Sequence, residues 1–293
     1  MTEPKGKLII IGGSVDKGSF FKNPEDQPNN LKFFEQGILK RISLEAAKKN
    51  LSRVEIITTA SSIPTEVGNE YVEAFKQLDM LNTGILDVRT RAEANDPANL
   101  ERLKSADVVM FTGGDQLRLT SIYGGTEFHK MLLDRYEHED FIISGTSAGA
   151  AASSNNMIYQ GSSNGALLKG EVKITGGLGF INNVIIDTHF VQRGRIGRLL
   201  YACASNPVNM GIGLGEDTGL LITKGHFMEA IGSGLVILVE GTHMRKTNIT
   251  DVEMGHPVSL ENMTVHVMSL GDKFDLNTKH FILKPLPEKQ AKS

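Results

Sequence analysis

Phe141-Ile142-Ile143-Ser144-Gly145-Thr146-Ser147-Ala148-Gly149-Ala150-Ala151-Ala152 passes from an apolar run through small residues into a string of helix formers. An apolar run that stops at glycine and is followed at once by alanines predicts a buried strand, a tight turn and a helix. Ser147 sits on that turn. There a strained backbone would hold its hydroxyl exposed, and small neighbours would let strand and helix cross closely. The N–H of Ala148 opens the helix and can face an oxyanion.

The same punctuation recurs outward from this segment. Residues 8–13, 54–60, 84–88 and 108–114 are short apolar runs ending in small or polar residues, as buried parallel strands do. Residues 31–49, 66–81 and 127–138 between them carry helical spacing. Alternating strand and helix predicts an α/β fold: a mostly parallel sheet with helices on both faces and ligand-binding loops at the carboxyl ends of the strands. After Ser154 the pieces become shorter: 184–187, 211–215, 219–223 and 235–240. These are expected to form antiparallel pairs or additions to a sheet edge. Residues 155–177, rich in Gly, Ser and Asn, are expected to be a long surface loop within one domain spanning 1–293. Pro285-Leu286-Pro287 should mark the end of the ordered chain.

Composition narrows the function. Lys and Arg number 31 against 34 Asp and Glu, a formal charge of −3, so the basic excess that drives nonspecific nucleic-acid binding is missing. With 40% apolar and 22% charged residues the chain should fold. A single cysteine, Cys203, makes no intrachain disulfide and no thiolate zinc site, which fits a reducing compartment and predicts the cytoplasm. Aliphatic runs such as 235–239 fall far short of a bilayer span, and the run at 8–11 is too short for a signal-peptide core. No His-Glu-x-x-His or similar cluster is present, so neither a metal nor a cofactor is expected. Residues 11–14 lack the spacing of a dinucleotide or phosphate loop.

A serine nucleophile needs a base. Of eight histidines only His189 ends a strand-like run, in Asp187-Thr188-His189-Phe190, where strand geometry would deliver it to the edge that holds Ser147. An orienting carboxylate should follow the glycine-rich run 210–215, and Glu216 and Asp217 both qualify. The order nucleophile, histidine, acid differs from that of the α/β-hydrolases, which argues against an esterase. Arg193, Arg195 and Arg198 place three guanidinium groups in six residues beside the histidine. Arg195 and Arg198 would share a helix face, and such planar forks grip carboxylates, which suggests an acidic substrate. The amides of Gly113-Gly114, after another strand, could complete an oxyanion hole with Ala148, while Gln116 reaches the substrate.

In these residues the chain resembles the cyanophycinase family of serine peptidases: Gly12-Gly13, Gly113-Gly114-Asp115-Gln116, the Ser147 turn, Asp187-Thr188-His189-Phe190 with its arginines, and Gly215-Glu216-Asp217. The resemblance runs from the start to about residue 223. It implies a flavodoxin-like three-layer fold related to class I glutamine amidotransferases, with extra C-terminal antiparallel strands, in a protein that is usually dimeric. It implies cyanophycin as substrate, a poly-aspartate backbone with arginine joined to each side-chain carboxyl, cleaved to β-Asp-Arg dipeptides. Ser147 would be the nucleophile, His189 the base and Glu216 the orienting acid. Gly114 and Ala148 would form the oxyanion hole, and Gln116, Asp187, Thr188, Arg193, Arg195 and Arg198 would hold the substrate. Thr188 departs from the glutamine that some intracellular members carry there. The rival activities are an aspartyl dipeptidase acting on short Asp-containing peptides and a noncatalytic binder of an acidic metabolite.

Overall fold

The computed structural model describes residues 3–18 and 33–285. The start of the expected helix at Leu31 and the Leu286-Pro287 part of the expected chain end lie outside the described residues. Five parallel strands form one side of a nine-stranded sheet, with β3 at its edge: β1 (Lys7–Ile11), β2 (Val54–Ile57), β3 (Thr83–Leu86), β4 (Val108–Phe111) and β5 (Ile142–Thr146). Their order is β1-β5-β4-β2-β3. Leu8 to Ile11 are all fully buried, because a parallel strand is covered on both faces and so reads as an unbroken aliphatic run.

Helices α1 (Phe33–Gln36), α2 (Ile38–Glu45) and α3 (Pro64–Gln77) pack on one face. There Ile38, Leu39, Ile42, Ala74 and Phe75 meet Ile9, Ile56 and Met110 of the sheet. Helices α4 (Pro97–Ser105), α5 (Gln116–Tyr123), α6 (Glu127–His138) and α7 (Ala148–Ala151) cover the other. Proline at the first turn and Asp96, which accepts the Ala98 N–H, start α4, and Asp115 caps α5 in the same way. These are the three expected layers of a flavodoxin-like fold. Strands β10 (Thr218–Thr223), β11 (Phe227–Gly232), β16 (Lys273–Asp275) and β17 (His280–Ile282) extend the sheet antiparallel beyond β1.

The second half goes further than the sequence suggests. A six-stranded sheet runs in the order β15-β12-β9-β8-β6-β7, from β6 (Ser154–Gln160), β7 (Lys173–Gly176), β8 (Ile181–Asp187), β9 (Met210–Leu214), β12 (Val236–Glu240) and β15 (Thr264–Met268). The short strands β13 (Lys246–Thr247) and β14 (Leu260–Glu261) pair with each other. Two expectations are corrected here. Residues 155–177 are not simply a loop, since they supply β7 and most of β6, and β8 and β9 pair parallel instead of antiparallel. A parallel pair needs a crossover, and α8 (Ile196–Ser205) provides it, with Leu199, Ala202 and Cys203 packed on Ile185 and Val239. Facing the first sheet, Met157, Ile186, Ile212 and Leu238 join one apolar cluster with Leu8, Ile10 and Val109. Among the described residues no helix is long and apolar enough to cross a membrane.

Candidate active site

The registers decide what meets what. Ile11 lies beside Thr146 and Phe111 beside Gly145, so β1, β4 and β5 deliver Gly12-Gly13, Gly113-Gly114 and Ser147 to one edge. In the second sheet Asp187 lies beside Gly213, so the residues after β8 and β9, His189 and Glu216, also emerge together. The turn after β1 straps the two edges to each other. Ile11 O accepts the Ser147 N–H at 2.9 Å, Gly12 O the His189 N–H at 2.8 Å, and Gly13 O the Asp217 N–H at 2.8 Å.

Ser147 has φ 51° and ψ −106°, a costly conformation for a residue with a Cβ, and the bond from its N–H helps to hold it there. Its Oγ lies 3.1 Å from His189 Nε2, and His189 Nδ1 lies 2.6 Å from Glu216 Oε1. With the carboxylate accepting from Nδ1–H, Nε2 is left as an acceptor for the serine proton. His189 itself has φ 48° and packs over Gly13, where a Cβ would stand 2.3 Å from the imidazole Cε1. Only glycine leaves room for the ring there, at a φ of +120° that other residues rarely adopt.

Of the two acids left open by the sequence, Glu216 reaches the imidazole. Asp217, with φ 45°, turns away, accepts the Asp16 N–H at 3.0 Å and the Ser233 hydroxyl at 2.8 Å, and so braces the turns around it. Burial raises its carboxyl above the usual carboxylate range, partly offset by the Asp16 N–H and the Ser233 hydroxyl. A carboxyl whose folded value is raised contributes stability that is full below the unfolded value and lost as pH rises through the folded one. Asp217→Asn removes the buried charge while keeping an acceptor for Asp16, and asparagine suits the left-handed φ. Its melting temperature should exceed the wild type's by about 2 °C near pH 8 and converge with it near pH 4, with hydrolysis within about threefold. Glu216→Gln should instead lose roughly 10³-fold in kcat, because the imidazolium loses its partner. Melting curves against pH and initial rates for the two variants check the assignment.

Ser147 and His189 open onto a cavity of about 300 Å3, walled by Gly114, Gln116, Ala148, Tyr159, Asp187, Thr188 and the three arginines, among others. Among the described residues no backbone bond outside helices and strands uses the N–H of Gly114 or Ala148, so both remain as donors toward the cavity. Gln116 donates its side-chain amide to Ile158 O at 3.0 Å, which fixes it against β6.

The arginines are partly engaged within the chain. Arg198 and Arg195 do share a side, but they grip a carboxylate of this chain. Arg198 Nε and one terminal nitrogen bond both oxygens of Asp187, which is 1% exposed, and Arg195 reaches it at 3.4 Å. Arg198 also donates to Gly161 O and Arg195 to Thr188 O. The Arg198–Asp187 pair is fixed in the wall of the cavity, while Arg195 uses one terminal nitrogen for its bonds within the chain and lines the cavity beside it. Arg193 stays exposed at the rim, its side chain bonded to no group among the described residues. Burial, together with Arg198 and Arg193, lowers the Arg195 guanidinium below the usual arginine range, against the pull of Asp187. The arginines outnumber the one carboxylate in the wall, so the cavity carries positive charge.

Two groups escape a reading of the sequence. Tyr159 and Gln160 of β6 and Gly161 just after it line the cavity, within the stretch read as a loop. Gly13 seats the histidine, a role that neither its place after the first strand nor the Gly12-Gly13 motif discloses. Burial pushes the Cys203 thiol up to about 12; it lies on the buried face of α8 and does not line the cavity.

A hydroxyl, an imidazole and a carboxylate in line, with free amides beside the hydroxyl, define a site equipped for nucleophilic acyl transfer. The model of peptidase family S51 matches residues 34–230, and the chain belongs to that family and is a peptidase. A cyanophycinase of Geminocystis herdmanii is 36% identical over 274 residues, covering 94% of this chain and 95% of the relative. A cyanophycinase of Trichormus variabilis is 34% identical over 93% of this chain and 86% of its own length. The solved structure of a peptidase from an acI-B1 Actinobacterium superposes with a TM-score of 0.63 at 19% identity, covering 94% of this chain and 98% of its own, and shares the fold.

Proposed function

We propose that the protein is a cyanophycinase, a serine-type exopeptidase that hydrolyses cyanophycin to β-Asp-Arg dipeptides. The observation that carries this is a cationic cavity opening directly on the Ser147–His189–Glu216 line, in a chain whose full-length relatives bear that name. Ser147 Oγ attacks the backbone carbonyl between adjacent aspartyl units while His189 Nε2 takes its proton. The N–H groups of Gly114 and Ala148 stabilise the oxyanion. His189 passes the proton to the leaving amide nitrogen, and water, deprotonated by the same imidazole, then hydrolyses the acyl-serine ester.

Arg193 is the group placed to meet a substrate carboxylate, while Arg195 and Arg198 lend their field from the wall. Gln116 and Thr188 shape the floor. We take residues 1–293 as one domain, since a single apolar cluster draws on both large sheets, and we place the enzyme in the cytoplasm as a homodimer. No cofactor takes part in these steps.

Incubation with purified cyanophycin should release β-Asp-Arg, identified by mass spectrometry. Release from short Asp-containing peptides alone would replace this function with that of an aspartyl dipeptidase. Arg193→Ala should raise KM about tenfold at low salt with kcat nearly unchanged, and should flatten the ionic-strength dependence of kcat/KM. Rates measured across a salt series check it.

A further inference from the structure

We propose that Gln192 is a positioning residue that holds the acid of the catalytic line in register with the histidine. Gln192 lies three residues after His189, on the exposed segment leading to α8. Its side-chain carbonyl accepts the backbone N–H of Glu216 at 3.1 Å. This bond joins the loop that carries the imidazole to the backbone of the residue that supplies the carboxylate.

The placement has consequences for the acid. The Glu216 side chain is 33% exposed, and this partial cover leaves His189 as the one side-chain group bonded to its carboxylate among the described residues. Its backbone is held at three points: Thr218 Oγ donates to Glu216 O at 2.9 Å, Gly13 O takes the next N–H, and Gln192 takes its own. Thr218 braces the far side of the turn. Gly13 also lies under the imidazole, so Gln192 is the one of the three that comes from the loop following His189; that loop is pinned, with Phe190 N–H on Leu214 O, Arg193 N–H on His189 O and Arg195 N–H on Phe190 O, all at 3.0 Å. A side chain held this way fixes the distance between the two loops, and a loss of under 1 Å in that register is enough to slow a proton transfer.

This inference rests on the Ser147–His189–Glu216 line and not on the identity of the substrate, so its test uses a probe for the serine alone. The probe is a fluorophosphonate, applied at increasing concentration to separate the maximal labelling rate of Ser147 from the half-saturating concentration. Gln192→Leu keeps the size of the side chain and removes the acceptor. It should lower the maximal rate about tenfold, leave half-saturation within about twofold, and keep the wild-type melting temperature. Gln192→Glu restores an acceptor at the same reach and should recover the rate to within about threefold of wild type. An unchanged rate in Gln192→Leu overturns the proposal, as does an equal loss in both variants or a change in half-saturation alone. Failure of the wild type itself to label would overturn the catalytic line instead, which separates the two failures.

Discussion

Replacing Ser147 by alanine is expected to lower the hydrolysis of cyanophycin by about 10⁴-fold or more while leaving the protein folded. The size of the effect follows from what the hydroxyl does. It supplies the attacking oxygen, and at 3.1 Å it supplies the proton that His189 Nε2 receives. Without it the imidazole and its carboxylate have nothing to activate, and the amides of Gly114 and Ala148 can only polarise a carbonyl that water attacks slowly. The fold should not notice the change. Alanine meets the same steric cost as serine at φ 51°, the bond from the residue's N–H to Ile11 O is kept, and the lost Oγ faced the cavity. The melting temperature should stay within about 2 °C of the wild type. Chromatographic assay of β-Asp-Arg together with a thermal melt checks both halves. Activity within tenfold of wild type would remove Ser147 from the reaction.

How far the sequence discloses this site depends on whether the deciding force is local. The strand before Ser147 is legible because burial on both faces leaves an unbroken aliphatic run. The turn is legible because Gly145 and Gly149 must touch: a Cβ on Gly145 would stand 2.5 Å from the Gly149 carbonyl carbon. His189 is legible because it ends a strand. Strand β6 is not, since in Ser154–Gln160 only Met157 and Ile158 are aliphatic. Its polar positions follow no pattern of exposure: Ser154 is buried and bonds locally, while Asn156 donates to the distant Asn209 Oδ1. Such pairing leaves no period in the chain.

The choice between Glu216 and Asp217 shows a second kind of limit. Both are acids on one turn, and what separates them is a backbone angle, the positive φ of Asp217, which sends neighbouring side chains to opposite partners. Charge patterning likewise finds the arginines beside His189 without telling which carboxylate they face. Two of them turn inward to Asp187 because a buried carboxylate requires its countercharge nearby. Gln192 carries no signal at all: one amide in a loop acquires meaning only when another loop is folded against it.

Asp187→Asn is expected to destabilise the protein by about 3–5 kcal/mol, the range for removing one partner of a buried ion pair. The side chains of Asp187 and Arg198 are 1% and 9% exposed, so water does not screen the loss. Asparagine keeps the shape and can still accept from the Thr188 N–H, now at 2.8 Å, but it leaves the Arg198 guanidinium buried without its countercharge. For a chain of this size the melting temperature should fall by about 10 °C. Replacing Arg198 by methionine as well, which withdraws the orphaned charge, should recover more than half of that loss, so the two substitutions together are far from additive. Catalysis should not recover with stability. The Asp187 carboxylate also orients Thr188, the residue that leads into His189, and with Arg198 it builds the wall facing Ser147. The double variant should therefore melt near the wild type and yet hydrolyse cyanophycin at least about 10²-fold more slowly. Thermal melts and rates for the full cycle check this, and a fall of less than about 2 °C in Asp187→Asn would mean that the pair contributes little to holding the wall.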